Sequence, residues 1–381
     1  MELVEFLIGQ ARARASSPAV ICRGVMLTHS GLAAAVARHA HRLMSAGVSP
    51  GERVGICLGN GLEFVVAYYG AMAAGAVAVP LNPSMKPDER RALVEMLSPA
   101  LIVDGLDVAD GGPGNGASAH GGLNGAHLLE HALVRSGARR GAIAAIVVTS
   151  GSTGEPKGVM LTGRALLSNA LGMGDAAGAE PGQTHLVTLP LFHSFGATVS
   201  MNMPLATGGC CSIVPTFMPE AVAAVVESTR PCTWAAVPAM FAAMAASRCD
   251  SSALATIRTC ISGGAPLARG VRDAFEAKFG VAIREGYGLT EAGPVVSATR
   301  HDDVPEHGCV GRPIAGVRVA TEPAHEADGY ARAELMVGSD GLMEGYFGRP
   351  DLTAAVLCDG WLRTGDIASV DGEGRLRILD R

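Results

Sequence analysis

The sequence predicts an α/β protein with mostly parallel sheets, followed by a small antiparallel β region. Three observations carry this. Short apolar runs of strand type alternate with helical periodicities between about 28 and 104. A second series of the same texture runs from 185 to 286. Beyond 297 the strands shorten and are separated by Gly, Asp and Pro.

Residues 1–17 alternate apolar side chains with Glu and Arg, the pattern of an amphipathic helix rather than a signal peptide with a continuous apolar core. Over 28–46, Leu32, Val36, His39, Leu43 and Met44 lie close to one helical face, and Thr28 or Ser30 can cap its start. A strand at 53–58 leads to a helix at 62–74, a strand at 76–79, a helix at 87–97 and a strand at 100–104. The stretch 105–141 is rich in Gly, Ala, Ser and Asn; its first half reads as a mobile surface loop and 126–135 as a helix. A buried strand follows at 143–149. The second series has strands at 185–189, 211–214, 233–237, 259–262 and 283–285, with Ala-rich helices at 219–228 and 239–246. The last region has strands at 317–321, 333–337, 368–370 and 376–379, with Asp371-Gly372-Glu373-Gly374 as a hairpin turn.

The chain has 381 residues, of which 48% are apolar and 17% charged, enough for more than one packed core. A net charge of −6 with scattered Arg and Lys argues against a nucleic-acid partner. The apolar run 64–80 is interrupted by Gly70 and Gly75 and is short for a membrane span. The nine cysteines are dispersed without zinc spacing, as expected of reduced thiols in a cytoplasmic protein. Oligomeric state is not legible.

The densest chemical signal is Thr149-Ser150-Gly151-Ser152-Thr153-Gly154-Glu155-Pro156-Lys157-Gly158, directly after a buried strand. Hydroxyls and backbone N–H groups there can wrap phosphate oxygens, and Lys157 adds a positive charge. It is not a Walker A loop, because Pro156 and Gly158 stand where that motif needs Gly and Ser/Thr. Further along come Leu189-Pro190-Leu191-Phe192-His193-Ser194-Phe195-Gly196, Ser262-Gly263-Gly264-Ala265-Pro266, Glu285-Gly286-Tyr287-Gly288-Leu289-Thr290-Glu291 and Trp361-Leu362-Arg363-Thr364-Gly365-Asp366. Glycines such as Gly264 let a flat base approach the backbone. Tyr287 offers a ring face for stacking, and Asp366 a carboxylate that can accept hydrogen bonds.

These runs, in this order and over essentially the whole chain, resemble the motifs of the adenylate-forming superfamily, which includes acyl- and aryl-CoA ligases, peptide-synthetase adenylation domains and luciferases. The resemblance implies two stacked αβαβα-type subdomains with mixed, mostly parallel sheets plus a small antiparallel β-barrel-like subdomain, at about 1–184, 185–297 and 298–381. It implies that ATP or AMP is bound by Thr149, Ser150, Gly151, Ser152, Thr153, Gly154, Lys157, Gly264, Ala265, Pro266, Glu285, Gly286, Tyr287, Gly288, Thr290, Asp366 and Arg381. Lys157, Thr290, Glu291 and His193 would be catalytic, and Glu291 and Thr153 would hold Mg²⁺. His193, Phe195, Trp234, Ala235, Gly263, Gly264 and Gly288 would line the acyl pocket.

The activity so implied converts a small carboxylic acid, fatty or aryl, with ATP to acyl-AMP and pyrophosphate. The acyl group then passes to a thiol, CoA or a carrier protein's phosphopantetheine. Ser194 stands where amino-acid-activating domains usually carry Asp, which argues against an α-amino acid, since a buried cation needs a partner. The rival readings are an amino-acid or aryl-acid adenylation domain loading a carrier protein, and a non-catalytic adenine-nucleotide-binding module. The resemblance places a small C-terminal domain, with a catalytic lysine distinct from Lys157, after Arg381. The chain is therefore expected to bind nucleotide but to turn over slowly or not at all alone.

Overall fold

A computed structural model of the chain describes residues 2–108, 124–150, 155–323 and 333–380. Three sheets organise it. The largest has nine strands in the order Arg312–Pro313, Val295–Ala298, Ile283–Gly288, Thr259–Ser262, Thr233–Ala236, Thr184–Val187, Cys210–Ile213, Pro18–Cys22 and Val25–Thr28. Its centre is parallel and both edges are antiparallel. A six-stranded sheet runs Gly345–Tyr346, Pro156–Thr162, Ile143–Ser150, Val77–Pro80, Arg53–Ile56 and Leu101–Val103. A five-stranded antiparallel sheet is built from Val317–Pro323, Ala333–Ser339, Trp361–Val370, Leu357–Cys358 and Leu376–Asp380. This is the mixed α/β architecture with a β appendage that the sequence predicts.

Several helices form where the periodicity places them, while Gly163–Ala177 and Pro350–Val356 are helices the sequence reading does not place. His29–Ser45 is capped by Thr28, whose hydroxyl accepts from Gly31 N at 3.0 Å. Gly125–Ser136 starts on Asn124, which accepts from His127 N at 3.1 Å, and ends on left-handed Gly137. The two helices touch so closely that a Cβ on Gly125 would lie 1.8 Å from the Ser30 carbonyl oxygen. Leu62–Ala73 is apolar all round and wholly buried but for Glu63, so it is a central helix rather than a surface one. Among the described residues no helix is long and apolar enough to cross a membrane.

The sheets draw strands from across the expected subdivisions at 184 and 297. Pro18–Cys22 and Val25–Thr28 extend the nine-stranded sheet, and Gly345–Tyr346 returns to pair with Pro156–Thr162 in the six-stranded one. The hairpin at the chain's amino end was not expected from its short, half-exposed second strand. The returning strand brings the β appendage onto the hairpin of Ile143–Ser150 and Pro156–Thr162, and with it the Tyr346 side chain.

Candidate active site

Four neighbouring parallel strands, Thr184–Val187, Thr233–Ala236, Thr259–Ser262 and Ile283–Gly288, end at one edge, and their following loops enclose a cavity of about 340 Å³. Ligands in open α/β sheets bind at this carboxyl edge, where loops converge. Leu189, Phe195, Val237 and Ile261 form apolar walls, Met173, Val295 and Ala298 add to them, and Gly286–Thr290 runs along one side. Among the described residues lining it, none carries a formal charge apart from the titratable His193. Burial lowers the His193 pKa, which favours the neutral imidazole.

The run His193-Ser194-Phe195 leads straight into Gly196–Asn202, which winds as a π-helix rather than an α-helix. Such widened turns are rare and concentrate at functional sites. Phe195 lies across Gly263: a Cβ there would sit 3.0 Å from the ring, so only glycine keeps that approach. Gly288 is more tightly constrained, since a Cβ would stand 2.0 Å from the Pro294 carbonyl oxygen.

Three hydrogen bonds tie together motifs far apart in sequence. Ser194 Oγ and Thr290 Oγ1 are 2.7 Å apart. Tyr287 Oη donates to Asp366 Oδ2 at 2.5 Å. Tyr346 Oη donates to Glu291 Oε1 at 2.8 Å, and the Lys157 ammonium lies 5.1 Å from the centre of the Tyr346 ring. Lys157 itself is set by the hairpin register, which opposes it to Thr149, as Pro156 opposes Ser150.

His193, Phe195, Gly263, Gly264, Gly286, Tyr287, Gly288 and Thr290 thus all border the cavity, with Glu291 and Asp366 joined to its rim. Ala265 and Pro266 are exposed beyond the edge of the cavity. Gly151, Ser152, Thr153, Gly154 and Arg381, with the first half of the expected loop at 109–123, lie outside the described residues.

One expected residue faces elsewhere. Trp234 is fully buried on the opposite face of its strand, ringed by Phe241 and Phe275, with its indole N–H donating to Thr188 Oγ1 at 2.8 Å. Strand alternation gives the cavity-side face to Ala235, which packs in one cluster with Leu189 and Ile261. Trp234→Phe is therefore expected to lower stability by about 1–2 kcal/mol, through a lost hydrogen bond and a small void, and to leave ligand choice unchanged. Thermal unfolding and a ligand panel check this; an altered ligand preference would return Trp234 to the pocket. The Glu285 side chain turns away from the cavity, while its backbone leads into Gly286, which borders it. Its carboxylate accepts from Gly308 N at 2.8 Å and lies 3.8 Å from Arg272, while its carbonyl accepts from Thr299 N at 2.9 Å. Glu285 so anchors the strand that carries Tyr287.

Tyr346 joins this group only through the tertiary fold. Its contacts come from Lys157 and Glu291, both remote in sequence, so no local pattern marks it.

A cavity at the carboxyl edge of a parallel sheet, bordered by Tyr287 with the buried Asp366 bonded to it, is where mixed α/β proteins bind small ligands. Residues 8–347 match the AMP-binding enzyme family, and the chain belongs to it. Among curated relatives, a feruloyl-CoA synthase from an Amycolatopsis species is 34% identical over 389 residues, covering 97% of this chain and 77% of that one. Apo MatB from Rhodopseudomonas palustris superimposes with a TM-score of 0.83 at 26% identity, over 100% of this chain and 78% of that one. The inhibitor-bound N-terminal domain of FACL13 from Mycobacterium tuberculosis superimposes with a TM-score of 0.81 at 26% identity, over 100% and 99%. Curated relatives of this chain are named as acid–CoA ligases, and ATP-bound MatB shares the same fold.

Proposed function

We propose that the protein activates a carboxylic acid with an uncharged tail as its acyl-AMP and passes the acyl group to CoA. One observation supports this above others: Tyr287 and Thr290 border a single apolar cavity, Asp366 is bonded to Tyr287, and Glu291 and Lys157 meet at the neighbouring Tyr346. The acid's carboxylate oxygen attacks the α-phosphorus of ATP, the bond to the β-phosphate breaks and pyrophosphate leaves. A thiolate then attacks the acyl carbon of the mixed anhydride and AMP departs.

The chain's own residues bind and orient for these steps. Tyr287 stacks on adenine, and Asp366 accepts from ribose hydroxyls. Thr290, steadied by Ser194, donates to the α-phosphate, and Lys157 with the loop amides offsets the charge on the remaining phosphates. Neutral His193 and Phe195 wall off the acyl tail from water. The Glu291 carboxylate is a hard oxygen donor whose Oε2 has no partner among the described residues, which suits Mg²⁺; Glu291, with Thr153, would hold it. Bound there, the metal would supply charge neutralisation of the phosphates.

The acid class follows from the lining. A second carboxylate on the substrate would be buried without a partner, which is costly. Calorimetry with non-hydrolysable acyl-sulfamoyl adenosines checks it. Feruloyl-type and octanoyl analogues are expected to bind at least about tenfold more tightly than the malonyl analogue. Preference for the malonyl or an aminoacyl analogue would sink the proposed acid class. A carrier-protein acceptor would show as acyl transfer to phosphopantetheine on a protein in place of CoA.

A further inference from the structure

Tyr346 stands at the junction of three pieces of the fold. Its strand, Gly345–Tyr346, pairs antiparallel with the phosphate-loop strand, with Tyr346 opposite Val159 and Phe347 N donating to the Gly158 carbonyl at 2.8 Å. The ring is thereby fixed beside Lys157, whose ammonium rests 5.1 Å from the ring centre. On its other side the hydroxyl meets Glu291 Oε1 at 2.8 Å, and Met343 N donates to the Glu291 carbonyl oxygen at 2.9 Å. Tyr346 is only 6% exposed.

A carboxylate held through one oxygen has a defined plane, and the other oxygen points in a defined direction. An aromatic face attracts a cation to a defined place. We propose that Tyr346 is a positioning residue: its hydroxyl orients Glu291 toward the Mg²⁺ of Mg·ATP while its ring holds the Lys157 ammonium beside the phosphate loop. This rests on the nucleotide reading above. It adds a shared support for two groups that the motifs treat as independent.

Calorimetric ATP titrations, with EDTA and with excess Mg²⁺, separate the two roles. Tyr346→Phe keeps the ring and removes the hydroxyl. It is expected to leave metal-free ATP binding within about twofold and to cut the metal-dependent gain in affinity about tenfold, the scale of a hydrogen bond to a charged group. Mn²⁺ electron paramagnetic resonance with ATP present should show fewer bound ions at equal free metal. In a Glu291→Gln background, Tyr346→Phe should have no further effect, because the pair acts as a unit. Tyr346→Leu should also weaken metal-free binding. An unchanged metal response in folded Tyr346→Phe, or an equal loss with and without Glu291, overturns the inference alone. A wild-type chain that takes up no ATP overturns the nucleotide reading and this inference with it.

Discussion

Replacing Asp366 with Ala is expected to weaken ATP and AMP binding on the order of 100-fold while leaving the fold intact. Asp366 is buried to 5% exposure, and its carboxylate accepts from the Tyr287 hydroxyl. The backbone around it is fixed: Thr364 Oγ1 donates to the Leu335 carbonyl at 2.7 Å and accepts from Asp366 N at 3.1 Å. The carboxylate is therefore already oriented before any ligand arrives, and little ordering cost remains for binding. In the proposed reading it accepts from both ribose hydroxyls. Hydrogen bonds to a charged group contribute about 1.5–3 kcal/mol each, so losing both gives two orders of magnitude or more. Tyr287→Phe keeps the stacking face and loses only the tether to Asp366, so its loss should be nearer threefold to tenfold. Calorimetry with AMP and ATP measures both. Affinity within threefold of wild type for Asp366→Ala would remove Asp366 from the nucleotide site.

How far the sequence reveals this site depends on the range of each signal. The helix expected at 87–97 is Pro87–Leu97, and the strand expected at 259–262 is Thr259–Ser262, because Pro, Gly and apolar period act locally. The turn at Asp371–Gly374 also forms, with Gly374 N donating to Asp371 O at 3.0 Å and joining two antiparallel strands. Gly196–Asn202 is a π-helix for reasons no local pattern announces. Trp234 was misplaced because composition names an aromatic but only strand phase, set by the whole sheet, tells which face it takes. Tyr346 was missed because its meaning lies in partners on two other segments. The motif residues were legible as chemistry; which of them touch the cavity required the tertiary fold.

The protein should lose stability as pH falls from about 6.5 to about 4, before most carboxylates titrate. His39 and His185 are buried, and no ring nitrogen of either has a hydrogen-bond partner among the described residues. His39 lies against Gly70, so close that a Cβ there would be 2.6 Å from its ring, and His185 sits against Gly209. Burial lowers both pKa values to about 4; for His39 the nearby Arg42 charge adds to it. Burial lowers His29 as well. A histidine whose folded pKa is depressed binds more protons when unfolded, so stability rises with pH and is lost as pH falls below the unfolded value. The loss begins near 6.5 and stops growing below about 4, where the folded protein takes up the proton too. Each group contributes up to about 3 kcal/mol across that window, at roughly 1.4 kcal/mol per pH unit, and two together rival the whole stability of a typical domain. Urea unfolding at pH 7, 6, 5 and 4 should show the midpoint falling throughout, and His185→Gln should flatten part of the slope. A midpoint constant from pH 7 to 4.5, or an unchanged slope in folded variants lacking either ring, would mean that these imidazoles are solvated and that their burial does not govern the acid response.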